Sequence, residues 1–297
     1  MTTGSRRPPP RTRRPARRRR RAGGGRTLAW LVLILVMAGA AIALLARDAL
    51  DRRDGAPAAV DQAPPPAEPF LIREGLRRED VAALLDEQTD LSGERYLELT
   101  GPGPRGARLA GLDRPTSLEG FLFPATYEIG PETTVRDLVD AQVRAYRANT
   151  AGVDYRYAAS RNLTRYDVLI IASMIEREVA VPRERRLVAS VIYNRLRAGM
   201  TLGIDATVQY AVGEWKPELT ARDLAVDSPY NTRRFAGLPP GPIASPGLDS
   251  IRAAARPART DFLYYVARND GTARHDFSTN AEDFERDVAA ARARGGS

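Results

Sequence analysis

"IIASMIEREVA", residues 170–180, is the stretch on which the reading of this chain turns. Its first six residues are apolar or small on every side, the pattern of a helix without a solvent face. Glu176 and Glu178 then follow, two residues apart. Positions i and i+2 diverge by roughly 200° around a helix, so the two carboxylates cannot enter one pocket. Glu176 lies a turn from Ala172, Ser173, Val179 and Ala180, the side a ligand can approach. Glu178 lies a turn from Met174 and Ile175 and reads as a surface residue. The competing reading is a helix end that simply emerges into solvent. Thr164, with Asp167 three residues on, predicts the helix start, and Pro182 its close.

Outward from this helix, apolar stripes predict amphipathic helices at 76–87, 135–150 and 183–200, and 248–257 and 280–294 read as a short helix and the last helix. "FLI" (70–72) reads as a strand followed by a glycine turn. "DFLYYVAR" (261–268) and "RHDFS" (274–278) read as a hairpin. In "EGFLFPATYEIG" (119–130), Pro124 argues against a central strand. Residues 227–247, "DSPYNTRRFAGLPPGPIASPG", hold five prolines and three glycines and predict a rigid, non-repetitive surface loop. Tyr230, Asn231 and Thr232 within it suit a sugar, which offers hydroxyls and an apolar ring face. The alternative is a loop whose polar groups serve only its own backbone.

The N-terminus is of a different kind. Residues 1–26 contain eleven arginines and no acid. The chain's +8 less this +11 leaves −3 for residues 27–297, so the basic pI describes a tail. That tail is rich in proline, arginine and glycine and is expected to be disordered. No folded basic face points to nucleic acid. Leu28–Ala46 is uncharged, and at ~1.5 Å per residue it spans roughly 28 Å, the thickness of a bilayer core. The arginines before it place the N-terminus in the cytoplasm and everything after residue 47 outside. "AGAA" at 38–41 would suit a cleaved signal peptide, but the apolar run is longer than such peptides use. Residues 47–68 read as an extended Pro/Ala/Asp linker.

The chain has no cysteine, one histidine (His275) and one lysine (Lys216). Thiolate nucleophiles and cysteine or multi-histidine metal sites are excluded. No cofactor is expected.

"LEGFLFPATY", "IIASMIEREVA", "ASVIYNRLRAGM", "DATVQYA", "SPYNTRRFAGLPPGPIASPG" and "HDFS" occur in this order. Together, over residues 68–290, they resemble the MltG (YceG-like) family of membrane-anchored endolytic murein transglycosylases. The resemblance implies an α+β fold with one transmembrane helix (27–46), a short LysM-like strand–helix module with its connector (69–118) and a transglycosylase domain (119–294). It implies cleavage of the MurNAc–GlcNAc bond of peptidoglycan glycan strands, leaving 1,6-anhydroMurNAc ends that terminate strand elongation. Wall-synthesis enzymes are the implied partners. Carried over by position, the catalytic glutamate falls on Glu176. Glu119, Asn194, Asp205, Thr207, Gln209, Tyr230, Asn231, Thr232 and His275 fall in the substrate-binding motifs. Two departures stand out: only one strand–helix unit is evident before residue 118, and the last helix opens without the histidine relatives tend to carry.

The chemistry suits this inventory. A general acid needs a raised pKa, which Ile171, Ile175 and the loop aromatics are expected to supply. A lytic transglycosylase needs no second carboxylate, because the sugar's 6-hydroxyl attacks the anomeric carbon. For hydrolysis, Asp205 or Glu119 would be the partner. Two other classes remain open: a non-enzymatic wall-binding scaffold of the growth or division machinery, and a PLP-dependent lyase. The lyase needs a Schiff-base lysine, and Lys216 has no phosphate-binding glycine cluster beside it.

Overall fold

The computed structural model describes residues 37–47, 66–114 and 116–295. Residues 37–47 are helical, with Met37, Ile42, Leu44 and Leu45 exposed. No helix among the described residues is long and apolar enough to cross a membrane. The basic tail, residues 27–36 of the expected span and most of the linker lie outside the described residues. Pro64–Ser297 is a compact unit separate from the N-terminal one, and its fold is mixed α+β.

Two apolar cores organise that unit. The first is built on strand β1 (Glu68–Leu71), helices α1 (Arg78–Gln88) and α2 (Gly93–Thr100), strand β2 (Thr126–Ile129) and helix α4 (Val135–Thr150). A short helix α3 (Pro104–Ala110) intervenes, with Pro104 at its first turn, where a missing N–H costs nothing. β1 and β2 pair antiparallel, Phe70 opposite Tyr127. Phe70, Ile72, Val81, Leu85, Tyr96, Leu122, Leu138 and Val139 fill this core. The single strand–helix unit expected before residue 118 is thus corrected. A second helix, α2, follows α1, and the partner strand β2 comes after Pro124, where the chain regains its ladder N–H groups.

The second core surrounds α5 (Arg165–Glu178), the helix that contains the opening stretch. Thr164 and Asp167 cap each other reciprocally at its start. Val168 to Ile175 are all buried, so the helix is enclosed on every side as its composition predicts. Around it lie α6 (Arg185–Ala198), α7 (Asp205–Val212) and α8 (Leu248–Ala255). The hairpin β3 (Tyr264–Ala267) and β4 (His275–Ser278) pairs Tyr265 with Phe277, and α9 (Ala281–Gly295) packs on it. Phe121 belongs to this second core, stacked on Tyr166 at 5.8 Å and edge-on to Tyr146 of α4 at 5.2 Å.

Candidate active site

Ser173 and Glu176 lie three residues apart on one face of α5, and both hold the end of the proline-rich loop. Ser173 Oγ accepts the Ile243 N–H at 3.0 Å. Glu176 Oε2 accepts the Gly247 N–H at 3.0 Å. Between these two anchors, Ser245 pairs with the first core's turn: Gly75 donates to its carbonyl at 2.8 Å and its N–H donates to Leu76 O at 2.9 Å. Residues 241–247 are therefore buried, although the loop was expected to be surface throughout. Burial is tolerated because these backbone groups find partners.

The Glu176 side chain is only 7% exposed, and Arg185 Nη2 lies 3.6 Å from its Oε1. The expected apolar surround is thus replaced by a backbone N–H and a guanidinium. Glu74, from the turn after β1, enters the same cluster. Its carboxyl packs against Gly247 where a side chain would otherwise begin. Burial, then the charges of Glu176 and Asp249, push the Glu74 carboxyl upward, while Arg185 pulls it down. Arg177 extends from α5 in another direction, donating to Gly75 O at 3.1 Å. Its guanidinium lies 3.8 Å from the centre of the Trp215 ring, which also contacts Arg77 at 5.1 Å.

Glu178 is not the surface residue expected. Tyr265 Oη donates to its carboxyl at 3.0 Å. Burial pushes this carboxyl upward. Burial and the Glu178 charge push the Tyr265 phenol up in turn. His275 stands edge-on to Tyr265 at 5.4 Å, and both its N–H and its Nδ1 face Glu184 Oε2, at 3.2 and 2.9 Å. Period-3.6 reasoning correctly separates the two glutamates. It cannot reveal that the hairpin closes over the second.

The remaining sequence-derived candidates divide into two groups. Several spend their polar atoms inside the chain. Asn194 donates to Thr260 O and Phe262 O, each at 2.9 Å. Asn231 donates to Leu224 O and Val226 O and accepts from Arg233 N. Thr207 and Thr232 share a hydroxyl contact of 2.8 Å, and Thr232 Oγ1 accepts the Ile204 N–H. Glu119 is 1% exposed, with Oε2 on the Arg78 N–H and Oε1 unpartnered. Burial pushes its carboxyl up to about 8. The others keep an accessible side. Asp205 pairs with Arg233 at 2.5 Å, and Gln209 accepts from the Lys216 N–H. Tyr230 is half-buried, tilted against Tyr210 at 4.8 Å. None of these forms a hydrogen bond or ion pair with Glu176 among the described residues. Glu74 is a carboxylate whose charge couples to that of Glu176. Glu74, Arg185 and Gly247 escaped sequence reasoning because they come from separate elements. The one available signal was the Ser-x-x-Glu spacing of Ser173 and Glu176.

The YceG-like family matches residues 47–290 of the chain. An endolytic murein transglycosylase of Bacillus subtilis (strain 168) is 42% identical over 156 residues, covering 52% of this chain and 43% of that protein. A protein of the same name from Streptococcus pneumoniae (strain ATCC BAA-255 / R6) is 40% identical over 178 residues, covering 58% of this chain and 32% of that protein. The chain thus matches less than half the length of these curated relatives. The crystal structure of a yceG-like protein from Listeria monocytogenes aligns with a TM-score of 0.63 at 33% identity, covering 73% of this chain and 75% of that one.

Proposed function

The chain belongs to the YceG-like family, and from that premise we propose that it is a membrane-anchored endolytic lytic transglycosylase of peptidoglycan. Residues 27–46 span the membrane, the basic tail stays in the cytoplasm, and the domain from residue 68 meets nascent glycan strands outside. The arginines add attraction to anionic headgroups, about 1 kcal/mol each near the surface. Wall-synthesis enzymes are the partners such a position would bring close.

The observation that carries this reading is the fixing of Glu176 between Gly247 N–H and Arg185. A reacting carboxyl must be held in one orientation to transfer a proton productively. Glu176 protonates the glycosidic oxygen between MurNAc C1 and GlcNAc O4. The C1–O bond breaks, and the GlcNAc leaves with its new hydroxyl. Positive charge develops at C1, and the carboxylate of Glu176 faces it. The MurNAc 6-hydroxyl then attacks C1, closing the 1,6-anhydro ring and returning a proton to Glu176. One carboxyl serves both steps. Glu74, a largely exposed residue whose carboxyl packs on Gly247, lies at the rim of the same cluster. Asn194, Thr207, Asn231 and Thr232 act indirectly in this reading, by fixing the loop and its neighbours.

The test is mass spectrometry of purified glycan strands digested by the full chain and by Glu176→Gln. Products ending in 1,6-anhydroMurNAc, absent with the variant, are expected. Reducing ends would mean hydrolysis and make Glu74 the partner to examine. A folded chain that binds strands without cleaving them would replace the enzyme with a scaffold.

A further inference from the structure

Arg185 belongs to two groupings. Its Nη2 lies 3.6 Å from the Glu176 carboxyl, and its buried Nε has no hydrogen-bond partner among the described residues. It also lines a cavity of about 340 Å³, with Pro182 and Ala253 completing a wall of charged groups. Those groups are four arginines (Arg185, Arg186, Arg252 and Arg256) and one acid, Asp249. Arg186 is committed to the carbonyls of Arg256 and Pro257, at 2.9 and 3.4 Å. Asp249 offsets Arg252 alone, at 3.6 Å with both side chains well exposed. Arg256 has no ion-pair partner among the described residues and is exposed. The cavity therefore presents unspent positive charge, and it begins at the residue that touches the candidate acid.

The transglycosylase reading, on which this inference rests, says what has to pass here. The sugar whose C1 reacts is MurNAc, and its O3, two carbons away, carries a lactyl ether and a stem peptide with free carboxylates. A stem attached that close to C1 must leave the reaction centre beside Glu176. Guanidinium groups hold carboxylates through paired, charge-assisted hydrogen bonds. We propose that the arginine-lined cavity is a stem-peptide subsite, in which Arg252 and Arg256 hold the peptide carboxylates and Arg185 joins the subsite to the reaction centre. The enzyme would then select strands that still carry their peptides over strands from which an amidase has removed them.

The experiment compares the full chain with Arg252→Glu/Arg256→Glu on two strand preparations, stem-bearing and amidase-stripped. The expected result is that the ratio of kcat/KM, stem-bearing over stripped, falls about tenfold in the variant. Arg252→Lys/Arg256→Lys should recover most of that ratio, and Asp249→Asn should raise it. An unchanged ratio, or equal losses on both preparations, overturns the subsite. Failure of the function reading is distinguished by a binding arm that needs no turnover. A fluorescent stem tetrapeptide is titrated against the full chain carrying Glu176→Gln, with and without the double charge reversal. Salt-sensitive binding lost on reversal supports the subsite even if no strand is ever cleaved. Binding unaffected by the reversal sinks it even if cleavage is robust.

Discussion

Glu176 and Glu178 stand two residues apart on one helix and end in surroundings of opposite character. Glu176 is held by two groups from outside its helix, the Gly247 N–H and the Arg185 guanidinium, with the turn bearing Glu74 beside it. Glu178 is closed in by its own half of the fold, with Tyr265 donating to its carboxyl. Burial pushes the Glu178 and Glu119 carboxyls upward as it does that of Glu74, although neither Glu178 nor Glu119 belongs to the Glu176 cluster. Both have their contacts inside the fold. A perturbed acid is thus a poor pointer to chemistry when the perturbation is burial alone. Convergence of separate elements on one carboxyl is the better pointer.

The largest effect should separate the two faces cleanly. Glu176→Gln is isosteric and should cut kcat/KM for strand cleavage about 10³-fold, the scale of losing a general acid, while thermal stability stays unchanged. Glu178→Ala leaves the Tyr265 hydroxyl without its acceptor. It should cost roughly 1–3 kcal/mol of stability while the chemistry persists. Melting curves and anhydro-product assays on both variants decide this. The comparison breaks if Glu176→Gln keeps its turnover or Glu178→Ala keeps its melting temperature.

Glu119 extends the comparison into pH. Its folded-state pKa, about 8, lies above the ordinary glutamate value. Stability is therefore full while the carboxyl is protonated in both states, below about pH 4.5. It is lost as pH rises toward 8, because the unfolded chain ionises first. Relative to Glu119→Gln, the wild-type chain should weaken by on the order of 4 kcal/mol between pH 5 and pH 8. Denaturant titrations of both chains across that range measure the difference. A flat difference would mean that Glu119 ionises without cost and is less sealed than its burial indicates.

Much of this was legible from local pattern. The caps of α5, the stripe of α4 and the hairpin carrying Tyr265 and His275 follow from spacing over a few residues. Strand β2 was not legible, because its partner β1 lies nearly sixty residues away and Pro124 obscures its start. The 241–247 segment was misread as surface because proline and glycine usually mark exposed turns. Here Ser173, Glu176 and the turn at Gly75 and Leu76 satisfy its backbone instead. Glu176 was identified from periodicity and resemblance. Its partners were not, since no sequence window contains residues 74, 176, 185 and 247 together.

Asn231 tests the division among the loop residues. Fully buried, it donates to the Leu224 and Val226 carbonyls just before the loop and accepts the Arg233 N–H within it. Asn231→Ala should cost about 2–3 kcal/mol of stability through those orphaned groups. At a temperature where the variant is folded, KM should remain close to wild type. A large rise in KM with no loss of stability would return Asn231 to the substrate and weaken the structural account of the loop.

The smallest effect probes the rim of the Glu176 cluster. Gly247 has ordinary extended backbone angles, so alanine is not strained there by conformation. The new methyl would instead occupy the position of the Glu74 carboxyl, which sits at the end of a flexible side chain and can swing away. The Gly247 N–H is untouched and should still hold Glu176. Gly247→Ala should therefore behave like Glu74→Gln: a loss of about threefold in kcat/KM, on the scale of one exposed charge contact, with stability unchanged. A loss approaching that of Glu176→Gln in the alanine variant alone would show that the loop backbone orients the acid. Equal small losses in both would assign the effect to Glu74 and make the rim, not the loop, the place where the first core touches the chemistry.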